Sequence, residues 1–175
     1  SLADWLYRAK AAQVIIADSP GGLYTPVALR GIYQTCGMQQ AAEQSGAVLN
    51  FDVGYQTVAA KDACICREFN LIHPVVQADL ILSVGKLKTH CMTGLSGGVK
   101  NLFGCIPGLQ KPQMHYRFQN TGDFCSMLVD LAQMVAPVLT IIDAVDAMEG
   151  NGPSGGTVRH TGCLIASRSP FCLDL

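Results

Sequence analysis

The stretch KLKTHCMTGLSGGVKNLFG, Lys86 to Gly104, holds three lysines, a histidine, a cysteine and four glycines, in a chain where only 14% of residues are charged. Glycines at 94, 97 and 98 allow backbone angles barred to other residues, so successive amide N–H groups can converge on an anion. Lys86, Lys88 and His90 approach from the preceding strand, and Lys100 and Asn101 follow the glycines at once. A helix opening at VKNLFG would add the positive end of its dipole. Phosphate or carboxylate is the guest this chemistry favours. Lys86, Lys100, Asn101 and the amides of Gly97 and Gly98 are the binding candidates. Lys88 and His90 are the catalytic ones, His90 because an imidazole moves protons near neutral pH. A turn that needs glycine only for its geometry, beside solvated lysines, is the competing reading. It is disfavoured because the charge stands at a strand exit in a charge-poor sequence.

The spacing excludes two common nucleotide sites. A Walker loop places glycine before its lysine and Ser or Thr after it, whereas Val99 precedes Lys100 and Asn101 follows. SPGG, after the first apolar run, does not make the G-x-G-x-x-G fingerprint of dinucleotide sites.

A second polar segment, IIDAVDAMEGNGPSGG, places carboxylates at 143, 146 and 149. Asp143 and Glu149 could hold a divalent cation beside a substrate phosphate. Equally, Asp143 could cap the next segment while the others are solvated. The pattern is not that of an EF-hand. Asp18 closes the first apolar run and joins the ligand-binding set. His115 stands level between ligand contact and packing, and His73 and His160 read as loop residues.

Composition narrows the classes. A net charge of -1 supplies no general attraction to nucleic acid or acidic lipid. No apolar run reaches the eighteen or so residues of a membrane span, and no signal peptide stands at the start, so a cytoplasmic protein is expected. Eight scattered cysteines contain no C-x-x-C and hence no iron-sulfur motif. Cys64-Ile65-Cys66 reads as small residues packed together. The length, 175 residues, suits one domain over 1–175.

The elements that must position these groups follow from periodicity. VIIAD, Asp79 to Val84, VLTIID and GCLIAS read as buried strands. TPVALRGIYQTCG reads as a helix capped by Thr25, with Leu29, Ile32, Tyr33 and Cys36 on one face. MQQAAEQSG is a second helical piece. DFCSMLVDLAQMVAP is an amphipathic helix stopped by Pro137. Alternating strands and helices predict an α/β fold, a mostly parallel sheet with helices on both faces, whose strand exits share one rim.

On VIIADSPGG, ADLILSVGKLKTHCMTGLSGGVKNLFGCIPG, LTIIDAVDAMEGNGPSGGTVR and GCLIASRSPFCLDL, the chain resembles the domain of unknown function 362 family. The resemblance covers nearly the whole chain. It matches Lys86, Lys88 and His90 to the family's K-x-K-x-H positions, Lys100 and Asn101 to its K-N pair, and Asp143, Glu149 and Gly150 to its acidic loop, none with a transferable role. Relatives are usually longer, so the resemblance implies an internal fragment of such a protein, and many relatives carry a ferredoxin-like iron-sulfur domain. Two functions are therefore expected to compete. One is an enzyme-like domain binding a small anion, with or without a divalent cation. The other is a redox-partner module docking a ferredoxin-like domain or holding a cluster through Cys91 and Cys105. Whether the chain is an enzyme stays open.

Overall fold

Side-chain caps fix the starts of four helices. Ser1, Thr25, Asn120 and Ser169 each accept a hydrogen bond from a backbone amide in the first helical turn that follows. The computed structural model describes all residues, 1–175. In chain order they form α1 (Leu2–Arg8), β1 (Ile15–Ile16), α2 (Pro26–Thr35), α3 (Met38–Ser45), β2 (Val48–Leu49), β3 (Tyr55–Ala59), β4 (Glu68–Ile72) and α4 (His73–Gln77). Then follow β5 (Leu82–His90), β6 (Gly94–Ser96), α5 (Gly98–Asn101), two short 3-10 turns (Leu102–Cys105 and Gly108–Gln110), α6 (Lys111–Arg117), α7 (Thr121–Val135), β7 (Leu139–Glu149), β8 (Thr157–Ser167) and α8 (Pro170–Asp174).

Helices and strands mix as an α/β reading requires, but the sheets are small and mixed rather than mostly parallel. The largest has the order β6-β5-β7-β8, and within it only β5 and β7 run parallel. β1 and β2 form a separate parallel pair, β3 and β4 an antiparallel one. The cause is local. β5 turns into β6 through Cys91–Thr93, and β7 into β8 through the glycine-bearing residues 150–156, and connections this short join antiparallel strands.

Helices also cover only one face of this sheet. α5 and α8 pack over Ser83, Thr140, Ile142 and Ala144, all buried. On the opposite face Val84 and Leu164 stay 56% and 68% exposed.

Strands β5 and β7 outrun their apolar stretches. Lys86, Lys88 and His90 therefore lie on β5 itself, past the expected strand end at Val84, and Asp143, Asp146 and Glu149 lie on β7. The ladder continues because β6 and Met148 supply partners, with a register shift between Lys86 and Lys88.

The main core gathers around α7, where Phe124, Met127, Leu128, Leu131 and Val135 are buried with Phe69, Leu102, Phe103 and Phe118. A smaller cluster joins Leu29 and Tyr33 of α2 to Tyr24 and Ile72. Buried Asp130 of α7 accepts the amides of Cys64, Ile65 and Cys66 at 2.8, 2.8 and 2.9 Å, which ties the β3–β4 connection to the core helix. Cys64-Ile65-Cys66 thus matters for its backbone, and only Cys66 is buried. All eight cysteines are free. No helix is long and apolar enough to cross a membrane.

Candidate functional site

Lys86, Lys88 and His90 of β5 all line one cleft, with the register shift against β7 falling between Lys86 and Lys88. Lys111 and His115, four apart, share a face of α6. Between these walls stand Lys100 and Asn101 of α5 and Phe103 of the following turn, and the loop Asp18–Gly22 after β1 completes the rim. Together they line a cleft of about 500 Å³. The Asp18 loop reaches it by packing on Gly108, where a Cβ would lie 2.3 Å from the Pro20 carbonyl oxygen. Lys111 Nζ donates to the carbonyl of Ser19 and pins the same loop from the other side. Gly152 accepts the Cys91 amide at 3.2 Å, which brings Pro153 to the cleft wall.

Charge is distributed unevenly. Of six lysines in the chain, Lys86, Lys88, Lys100 and Lys111 line this cleft, and Asp18 is the only carboxylate to do so. Lys86 pairs with Asp143 at 2.8 Å, and that bond, with the Val145 amide, holds the Asp143 carboxyl below its usual range. Burial pushes Lys111 down to about 8, partly opposed by Asp18. Lys100 is lowered by burial and then by the Lys88 cation. Burial raises Asp18, with Lys111 pulling the other way. His90 and His115 are both lowered, first by burial and then by Lys100, so each is a neutral imidazole near pH 7.

The two rings are held differently. His90 Nδ1 accepts from the amides of Met92 and Thr93 at 3.2 and 3.3 Å, which places the proton of the neutral ring on Nε2 and makes that atom a donor. His115 stacks on Phe124 at 4.3 Å and meets Phe103 edge-on at 5.6 Å, held by contact rather than by hydrogen bonds. Phe103 also faces two ammonium groups, Lys100 Nζ at 5.2 Å and Lys111 Nζ at 5.7 Å from its centroid.

Not every expected site residue is brought here. Gly97 lines the cleft and Gly98 does not. The amides of Gly98 and Val99 donate to the Asp174 carboxylate at 2.5 and 2.9 Å, so the anion at the glycine turn is the chain's own. Gly97 itself has no room for a side chain, since a Cβ would lie 2.2 Å from Asp174 Oδ1. Asn101 braces β5, donating to Ser83 Oγ at 2.9 Å and to the Val84 carbonyl at 3.2 Å.

Asp143 and Glu149, the candidate metal ligands, are each paired within the chain rather than facing one another. Asp143 is taken by Lys86, Glu149 by Arg159 at 3.0 Å and Asp146 by His160 at 2.8 Å. No three His, Cys, Asp or Glu side chains converge anywhere. A continuous strand spreads these carboxylates along its length, where a helical turn would have gathered them. Of the cysteines flanking the motif, Cys91 is exposed, and Cys105 is buried with its thiol pushed up to about 12 by that burial.

The family described as Domain of unknown function (DUF362) matches the chain over residues 1–175. The chain belongs to that family. A thylakoid-associated protein, sll1697, of Synechocystis sp. is 40% identical to this DUF362 chain over 116 residues. The match covers 66% of the chain and 36% of that relative's length.

Sequence reasoning on this DUF362 chain left Lys111, Ser19 and Phe103 out of the site and His115 undecided. A signal for α6 was present in KPQMH, where a lysine and a histidine four apart mark one helical face. The contribution of Ser19 is a backbone carbonyl, which side-chain chemistry does not announce.

Proposed function

We propose that the cleft of this DUF362 chain recognises a small anion bearing phosphate or carboxylate, as the binding step of an enzyme-like domain. One observation carries the reading: Lys88, Lys100 and Lys111 face a cleft whose only lining carboxylate is Asp18, Lys86 being already offset by Asp143. Two positive charges are left without a partner in a chain whose net charge is -1. Holding cations partly out of water is costly unless a counter-charge arrives. A cleft lined with one sign of charge also concentrates ligands of the other.

The anion would meet side-chain ammonium groups and the Nε2–H of His90, while the glycine turn, closed by Asp174, supports the wall. Asp143 and Glu149 play no metal-binding part in this reading. The setting is read as cytoplasmic, with a small molecule rather than nucleic acid or a bilayer as partner. Thylakoid association is a property named for the relative alone.

Calorimetric titration with inorganic phosphate and with malonate at low salt tests the proposal. Binding that weakens about tenfold in Lys88→Ala, ~1.4 kcal/mol, is expected. Absence of millimolar binding by either anion, or equal affinity in the variant, would sink it.

A further inference from the structure

The four cleft lysines are not equivalent. Lys86 is engaged by Asp143 and Lys111 by the Ser19 carbonyl, so the Nζ of each is tied to an acceptor within the protein. Lys100 has no hydrogen-bonding or ion-pair acceptor of its own in the protein; it lies against the Phe103 ring, with the Lys88 cation and the neutral His90 and His115 around it. Burial and the neighbouring Lys88 cation, with no acceptor to oppose them, make Lys100 give up its proton more readily than an exposed lysine, and the amine left behind is a nucleophile.

We propose that Lys100 forms an imine with an aldehyde or ketone that carries a carboxylate or phosphate, the anionic group resting between Lys88 and Lys111. The inference rests on the anion-binding reading above and names its substrate class. The Nζ lone pair attacks the carbonyl carbon and the C=O π pair moves to oxygen. That oxygen gains a proton and the nitrogen sheds one, which gives a carbinolamine. The nitrogen lone pair then expels the hydroxyl, protonated as water, and loss of the last nitrogen proton leaves a neutral C=N bond. Carbonyl and amine become imine and water, with nothing oxidised or reduced. His90 Nε2–H is placed to stabilise the oxygen as it gains charge. His115, whose ring nitrogens make no bond within the protein, is the group free to take the proton from nitrogen and return it to the leaving hydroxyl.

The test is reductive trapping. The chain is incubated with pyruvate in one arm and glycolaldehyde phosphate in the other, reduced with borohydride, digested and mapped by mass spectrometry. Lys10 and Lys61, the two lysines outside the cleft, serve as the internal reference. In at least one arm Lys100 should label about tenfold faster than either, because more of it is present as the free amine. Excess inorganic phosphate should suppress that label, and the arm that succeeds identifies the anionic group. Lys100→Arg should keep phosphate binding and lose the adduct. Label spread evenly over the lysines, confined to Lys88 or Lys111, or undiminished in Lys100→Arg overturns the inference. Phosphate binding by the unmodified chain with no imine trapped in either arm overturns it while leaving the binding reading intact; absence of both sinks both.

Discussion

Asp130 and Lys100 are ionisable groups drawn out of water in two parts of the molecule, and the fold treats them in opposite ways. Asp130 accepts three backbone amides within 2.9 Å. Lys100 meets an aromatic ring and other cations. The histidines repeat the contrast. His73 and His160 lie against Asp52 and Asp146 at 2.7 and 2.8 Å, whereas His90 and His115, in the cleft, have no carboxylate partner. A charge compensated within the chain holds structure together. A charge left uncompensated at a cleft costs stability and is useful only to a ligand that comes and goes.

The strongest attempt to break this contrast is Asp130→Ala. It orphans three amides and should cost about 3 to 5 kcal/mol in urea unfolding. Burial alone would raise the Asp130 carboxyl, but the three amide bonds outweigh it and leave it lowered. Its contribution is therefore complete above the unfolded carboxyl value and fades as acid carries the pH through the folded one. Next comes Lys88→Ala, which should weaken phosphate binding about tenfold with unfolding unchanged.

Lys100→Met should move in the reverse direction from Asp130→Ala, gaining about 1 kcal/mol of stability while losing phosphate affinity. A loss of stability there would erase the distinction. Lys111 supplies a pH signature. In the empty cleft it releases its proton near 8, below the unfolded value, so the penalty for keeping it charged is full below that pH and relaxes above it. Phosphate affinity should run oppositely and fall as pH rises through about 8, with proton uptake on binding, measurable by calorimetry in buffers of different ionisation enthalpy. The smallest effect belongs to the surface: His160→Gln should change stability by no more than about 0.5 kcal/mol and leave anion affinity alone.

What could be read in advance was what is local. The helix started by Thr25 and the amphipathic face of α7 follow from neighbouring residues alone, and both formed as expected. Strand ends were misplaced because a ladder continues for as long as a partner is available, and the partners of Lys88 and His90 come from β6 and from Met148. Even so, KLKTH alternates polar and less polar residues with period two, a strand signature overridden by the apolar run stopping at Val84. Lys86, Lys88, His90 and Lys100 were legible as a group because they crowd into fifteen positions. Nothing near the glycine turn foretells Asp174, which arrives from 76 positions away.

That distant carboxylate decides how the molecule can choose its guests. An oxyanion seeking the amides of Gly98 and Val99 competes with a tethered rival whose effective concentration is on the order of millimolar. Selection therefore passes to the side-chain ammonium groups, whose pull is screened by dissolved ions over about 10 Å at 0.1 M ionic strength. Occupancy of this protein should accordingly track the saltiness of its surroundings, making the cleft a reporter of ionic conditions as well as of its ligand.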